Sequence, residues 1–180
     1  MKIVDIFAPC LFAFHLNGEN ENELKKVLNF WSSTIELNDF LKINHVDWPK
    51  GKKLNQLRED IQENAEKFED LLKKLSTQKN PQLDQLFAAL DNSEYKTIVL
   101  SKRKGKSSKK ENHLRLYALK IDTNCYVITG GAIKFTQFME EREHTLNELK
   151  KLEFYRNYLR THGVVDEDSF FDLIIEQNDK

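Results

Sequence analysis

Residues 113–137, HLRLYALKIDTNCYVITGGAIKFTQ, carry the pattern that decides the fold. Leu114, Leu116 and Ala118 alternate with Arg115, Tyr117 and Leu119, which predicts a strand with one aliphatic face and one face bearing a cation and a phenol. Asp122, Thr123 and Asn124 are turn residues whose short polar side chains bond their own backbone. A second strand follows through Tyr126, Val127 and Ile128. At Gly130 and Gly131 a bulge or a close backbone approach is expected. Beyond it Ile133 and Phe135 share one face, and Lys134 and Thr136 the other. Both strands are thus expected to turn an apolar face to a core and a basic face outward.

The pattern weakens on either side. Residues 3–7 and 11–16 read as one broken strand or two short ones, with Pro9 ending the first or placing it at an edge. Residues 19–40 read as a helix with Leu24, Val27, Leu28, Trp31 and Ile35 along one stripe. After a turn at 44–51, a second helix is expected over 54–75. There Leu54, Leu57, Ile61, Phe68, Leu71 and Leu75 fall at heptad positions with Asn64 as the polar exception, which predicts an antiparallel helical hairpin. Asn80 and Pro81 predict the start of a short helix carrying Leu83, Leu86, Phe87 and Leu90. A strand over 95–100 and an exposed basic loop over 101–112, SKRKGKSSKKEN, follow. Thr145 and Glu148 have the spacing of a capping box ahead of a helix that His162 and Gly163 close. The tail holds Phe170, Phe171, Leu173 and Ile174 and reads as a short docked helix.

The expected fold class is α+β: a small, mostly antiparallel sheet made of one N-terminal strand and a three-stranded C-terminal meander, packed on a long helical hairpin and a C-terminal helix. One domain over 1–180 accounts for all of it. It comprises a strand region at 1–16, the hairpin and short helix at 19–90, the basic meander at 94–137 and the last helix at 145–162.

Charge narrows the function classes. The chain has 180 residues and a net charge of −1, but residues 95–137 hold ten Lys or Arg against Glu111 and Asp122, a local balance of +8. A region of that kind suits a polyanionic partner, with RNA or DNA first in line. Two cysteines, Cys10 and Cys125, lack metal-ligand spacing and suit a reducing, cytoplasmic setting. The apolar start is interrupted by Asp5, Pro9 and His15, unlike a signal peptide, and no stretch nears the roughly 20 apolar residues of a membrane span.

The order of elements, with Leu114-Arg115 and Tyr117, then Ile133-Lys134-Phe135-Thr136-Gln137, then a Glu-, Leu- and Lys-rich helix from Glu148, resembles the RelE/ParE superfamily of bacterial toxins, and most closely its HigB-like branch. The resemblance covers roughly residues 83–160. It implies an endoribonuclease that cuts mRNA on the ribosome, or else a gyrase inhibitor. It also implies a small antitoxin partner, often of helix-turn-helix type.

Cleavage by 2′-hydroxyl attack takes its nucleophile from the RNA, so neither metal nor organic cofactor is expected. The protein has to neutralise the phosphorane and move protons. Arg115 suits the phosphate clamp, because its fork matches two oxygens and keeps its charge. Lys134 suits charge stabilisation or proton donation. Tyr117 could stack on a base or hold substrate. His144, like His113, flanks the motif as an acid or base. Thr136 and Gln137 could orient the substrate, and Lys102, Arg103, Lys104, Lys106, Lys109 and Lys110 could grip the backbone. Each residue also has a plainer reading: a solvated strand face or an ion pair with the acidic helices for Arg115 and Lys134, a half-buried sheet aromatic for Tyr117, ordinary loop histidines, and a polar loop. A non-catalytic binding module with the same basic face stays open beside the nuclease.

Overall fold

The computed structural model describes residues 1–90, 99–106 and 112–179. The fold is α+β. Strands β1 (Lys2–Phe7), β2 (Leu11–His15), β3 (Phe87–Ala89), β4 (Ser101–Gly105), β5 (Leu114–Asp122) and β6 (Cys125–Ile133) form one sheet in the order β1-β2-β6-β5-β4-β3. All neighbours are antiparallel except β2 and β6. Helices α1 (Glu23–Ser32), α2 (Thr34–Ile43) and α3 (Leu54–Thr77) lie in the chain between β2 and β3, and α4 (Glu143–Thr161) and α5 (Glu167–Asn178) follow β6. Among the described residues no helix is long and apolar enough to cross a membrane.

The central hairpin forms as its residues dictate. Asp122 pairs with Cys125 across Thr123 and Asn124, the Asp122 carboxylate accepts the Thr123 N–H at 2.6 Å, and Asn124 takes a φ of 55°. Tyr117 faces Gly130 and Ala118 faces Ile128, so Thr129 is the extra residue of a bulge. The two glycines beyond it are there for space. A Cβ on Gly131 would lie 2.8 Å from Val27 Cγ1 in α1, and one on Gly130 would lie 2.6 Å from Lys151 Nζ in α4.

That pair of contacts shows the main departure from the sequence reading, because helices cover both faces of the sheet. Leu11, Leu114, Leu116 and Ile128 pack with Trp31, Leu37, Ile61 and Phe68 from α1–α3. Phe12, Tyr117, Leu119, Ile121 and Val127 pack with Leu152, Tyr155, Leu159 and Phe170 from α4 and α5. Phe14 stacks on Tyr155 at 4.1 Å between ring centroids, and Phe170 meets Phe12 edge-on at 5.3 Å. At about 1.5–3 kcal/mol for each large apolar side chain buried, neither layer can be removed without unfolding the sheet. The expected outward basic face is therefore under cover along most of its length.

Other elements shift for local reasons. The N-terminal region forms two strands, a hairpin with β1 at the sheet edge. The expected helix over 19–40 breaks at Ser33, which ends α1 and caps α2 by accepting the Glu36 N–H at 3.3 Å. In α3 the buried stripe is Leu57, Ile61, Ala65, Phe68, Leu72 and Leu75, a spacing suited to packing on a sheet and on α1; Leu54, Asn64 and Leu71 lie at its margin. The short helix expected after Pro81 is a single 3-10 turn, Leu83–Gln85, followed by β3. The expected strand over 95–100 falls largely outside the described residues. A strand instead occupies Ser101–Gly105, inside the expected basic loop, and so the meander gains β3 and β4. Helix α4 starts two residues before Thr145, whose buried hydroxyl donates to the Met139 and Arg142 carbonyls, while Glu148 pairs with Lys151 at 2.8 Å. Gly163, at φ 79°, does close it.

Candidate functional site

On β4 the residues alternate, with Ser101, Arg103 and Gly105 buried inward and Lys102 and Lys104 half-exposed. Lys104 lies opposite Tyr117 and Lys102 opposite Leu119, so the two lysines share a sheet face with Arg115 and Tyr117 of β5. Lys134 joins them because its N–H donates to the His113 carbonyl at 2.8 Å, which extends the β5–β6 pairing by one rung. The chain then turns back through 136–138 into a 3-10 turn, Met139–Glu141, ahead of α4.

These elements enclose a cleft of about 550 Å³. Lys102, Lys104, Lys106, Arg115 and Lys134 line it, and Leu90, Phe138, Met139 and Leu149 form its apolar wall. Tyr117 is buried at the lining, and its hydroxyl has no hydrogen-bond partner among the described residues. Glu140 is the carboxylate among the lining residues.

Among the described residues few acids lie within ion-pair distance of these cations. Lys102 lies 3.8 Å from Glu153, and Lys104 Nζ donates to the Leu90 carbonyl at 3.3 Å. Arg115 Nη1 donates to the carbonyls of Asn112 at 2.8 Å and Leu114 at 2.7 Å, which fixes the plane of the guanidinium. Lys134 Nζ donates to the Gln137 carbonyl at 2.5 Å. Burial lowers the Lys134 pKa below the usual lysine value, and the neighbouring Arg115 and Lys104 charges lower it further, against a smaller opposing effect of Glu141 and Glu140. Burial likewise lowers the Arg115 pKa and raises that of Tyr117. A half-buried cation beside two others, held by carbonyls rather than carboxylates, is an arrangement that an anion would stabilise.

Of the residues expected at a site, the cleft gathers Arg115, Lys134, Tyr117, Lys102, Lys104, Lys106 and Gln137. Four described residues are elsewhere or spent on the backbone. Arg103 points to the opposite face, where its Nε donates to Ser101 Oγ at 2.9 Å. His144 is turned away, with Nε2 at 3.0 Å from the Ile133 carbonyl and its ring edge-on to Phe40. His113 packs against Phe135. The Thr136 hydroxyl donates to the Phe138 carbonyl at 3.1 Å. Lys109 and Lys110 lie outside the described residues. The Tyr117 ring is only 1% exposed, so stacking on a base is closed to it. Phe138 and Glu140 escaped the sequence reading because no strand alternation reaches them. The one signal was an aromatic residue directly after the Lys134–Gln137 motif.

Comparison with family models, curated proteins and solved structures finds no match to this chain.

Proposed function

We propose that the cleft binds the phosphodiester backbone of RNA and that the chain is a toxin-like endoribonuclease acting by 2′-hydroxyl attack. The observation that carries this reading is the convergence of Lys102, Lys104, Lys106, Arg115 and Lys134 on one cleft with Glu140 as its only lining acid among the described residues. Arg115, oriented by two backbone carbonyls, would hold the non-bridging oxygens and take up the phosphorane charge. Glu140 would accept the 2′-hydroxyl proton as the 2′-oxygen bonds to phosphorus. Lys134, whose lowered pKa makes it the readier donor, would protonate the 5′-oxygen as that bond breaks. The products are a 2′,3′-cyclic phosphate and a 5′-hydroxyl end. In keeping with the resemblance, the message would be cut on the ribosome, and a small antitoxin protein would hold the enzyme silent.

A second reading, a non-catalytic module that grips RNA with the same cations, is favoured by one observation: among the described residues no histidine lines the cleft. One experiment separates the two. The purified chain is incubated with mRNA, with and without ribosomes, beside the Arg115→Ala and Lys134→Ala variants, and new RNA ends are mapped. Cyclic-phosphate ends from the native chain alone support the nuclease. RNA binding that both variants weaken, without new ends, supports the module. Cleavage unchanged in both variants refutes the assignment of the cleft.

A further inference from the structure

We infer that Phe138 is a stacking platform for a base of single-stranded RNA whose phosphates occupy the neighbouring cationic cleft, an inference that rests on the RNA-binding reading above. Several large apolar side chains of this protein are exposed, and Phe138, at 60%, is the one among them that lines the cleft. An apolar ring left in water beside five cations has an obvious complement in a ligand that is anionic along its backbone and flat and apolar at its bases. Nucleic acid has that character, and when single-stranded its bases are free to leave their own stack.

The ring is presented by a backbone pinned on both sides. The Phe138 N–H donates to the Glu141 carboxylate at 2.6 Å, and its carbonyl accepts the Thr136 hydroxyl at 3.1 Å. The preceding Gln137 carbonyl accepts Lys134 Nζ at 2.5 Å, and the following residue, Met139, is buried with its carbonyl bound by Thr145 at 2.5 Å. A ring on such a fixed backbone has two side-chain torsions to lose on stacking, so little ordering opposes it. The Lys134 bond also ties the ring's position to a cation of the phosphate site. A strand gripped at the phosphate therefore has a base delivered to the ring. Stacking accepts any base, so Phe138 should favour single strands over duplex without imposing a sequence.

The test uses the full-length chain and ligands that it cannot cleave. A 2′-O-methyl oligoribonucleotide of about ten residues, the same backbone with abasic positions, and the oligonucleotide annealed to its complement are titrated into the native protein and into Phe138→Ala, Phe138→Trp and Arg115→Ala. The proposal expects Phe138→Ala to weaken the base-bearing single strand about tenfold and Phe138→Trp to restore it, with the abasic strand unaffected by either. Arg115→Ala should weaken both strands. Equal weakening of the base-bearing and abasic strands by Phe138→Ala would make the ring a prop for the cleft and overturn the proposal. So would native affinity for duplex equal to that for the single strand. If Arg115→Ala weakens both strands while Phe138→Ala changes neither, the cleft reading survives and stacking falls. If the native protein binds neither strand, the cleft reading fails and takes the proposal with it. Because Phe138 is exposed, its variants should unfold at the native midpoint, which shows that an altered affinity is not a folding defect.

Discussion

Replacing Lys134 with methionine should stabilise the protein and, if the cleft binds RNA as proposed, weaken that binding. The ammonium is half-buried, is not ion-paired among the described residues, and lies beside the Arg115 and Lys104 charges. Methionine keeps a long unbranched chain and removes the charge. Relief of desolvation and repulsion should contribute about 1–2 kcal/mol, a figure kept low because the group still meets solvent. Against it stands the Nζ bond to the Gln137 carbonyl, worth about 1 kcal/mol; Gln137 is exposed, so its carbonyl turns to water. A net gain of about 0.5 kcal/mol remains, roughly 1–2 °C in a chain of this length. The pH dependence gives the sharper check. A lysine whose folded pKa is lowered carries its full destabilising effect at neutral pH. Between the folded value and 10.5 the unfolded chain binds more protons, so native stability rises with pH and the effect is gone above 10.5. Urea unfolding of both proteins at pH 7 and again near pH 10.5 should show the variant ahead at first and the gap closing. A variant that loses more than about 1 kcal/mol at pH 7 would refute the argument, because it would make Lys134 a structural partner rather than a strained cation.

Two further outcomes follow from the junction where α1 and α4 meet across the bulge. Gly130→Ala should cost about 2–4 kcal/mol in urea unfolding, because the new methyl would drive into Glu148 and Lys151 while φ stands at 154°; a loss under about 0.5 kcal/mol would show that the bulge is loosely packed. Buried Glu23 accepts from Lys151 at 2.8 Å, Lys26 at 2.9 Å and Tyr155 at 2.9 Å, and these partners outweigh burial to hold its pKa below 4.5. Its stabilisation should therefore be complete above pH 4.5 and lost as the pH falls through the lowered folded value, whereas Glu148, raised by burial, takes up its proton above pH 4.5 and adds stability there. In thermal melts from pH 6 to 2, Glu23→Gln should lose about 3 kcal/mol at the top and flatten the acid arm; an unchanged arm would show that Glu23 does not drive it.

The hairpin was legible because its signals are local: an Asp-Thr-Asn turn, alternation from Leu114 to Ala118, and two glycines where helices approach closely beside a bulge. Burial of its second face was not read, although Leu119 and Ile121 stand on that face with Tyr117 and give β5 the nearly continuous apolar run of a strand covered twice. Strand β4 was hidden by composition. Lysine is a poor strand former, and what makes Ser101–Gly105 a strand is tertiary. Gly105 leaves room for Phe87 and Phe68, where a Cβ would come within 2.9 Å and 3.4 Å, and Arg103 is satisfied by Ser101. The cleft was half legible. Arg115 and Lys134 follow from pattern, whereas bringing Lys102 and Lys104 alongside requires a register that the sequence does not display.

The face of β5 shows why the cleft stands where it does. From its C-terminal end, the side chains on that face run Ile121, Leu119, Tyr117, Arg115: two buried aliphatics, a buried phenol and a half-buried cation. Helices α4 and α5 cover the sheet over the aliphatic end, and polarity rises where their cover stops. Any polar residue would satisfy a boundary of that kind, and glutamine or threonine would do so without repulsion. Instead the chain places Arg115 and Lys104 beside a half-buried Lys134, where they add to the effect of burial in depressing its pKa, and among the described residues the Tyr117 hydroxyl has no partner. The bonds these cations donate to backbone carbonyls offset only part of the cost of burying like charges side by side, so folding alone is a weak reason for such a cluster. An anion that enters the cleft would offset both the mutual repulsion and the burial of these cations, and that is the physical argument for a binding site.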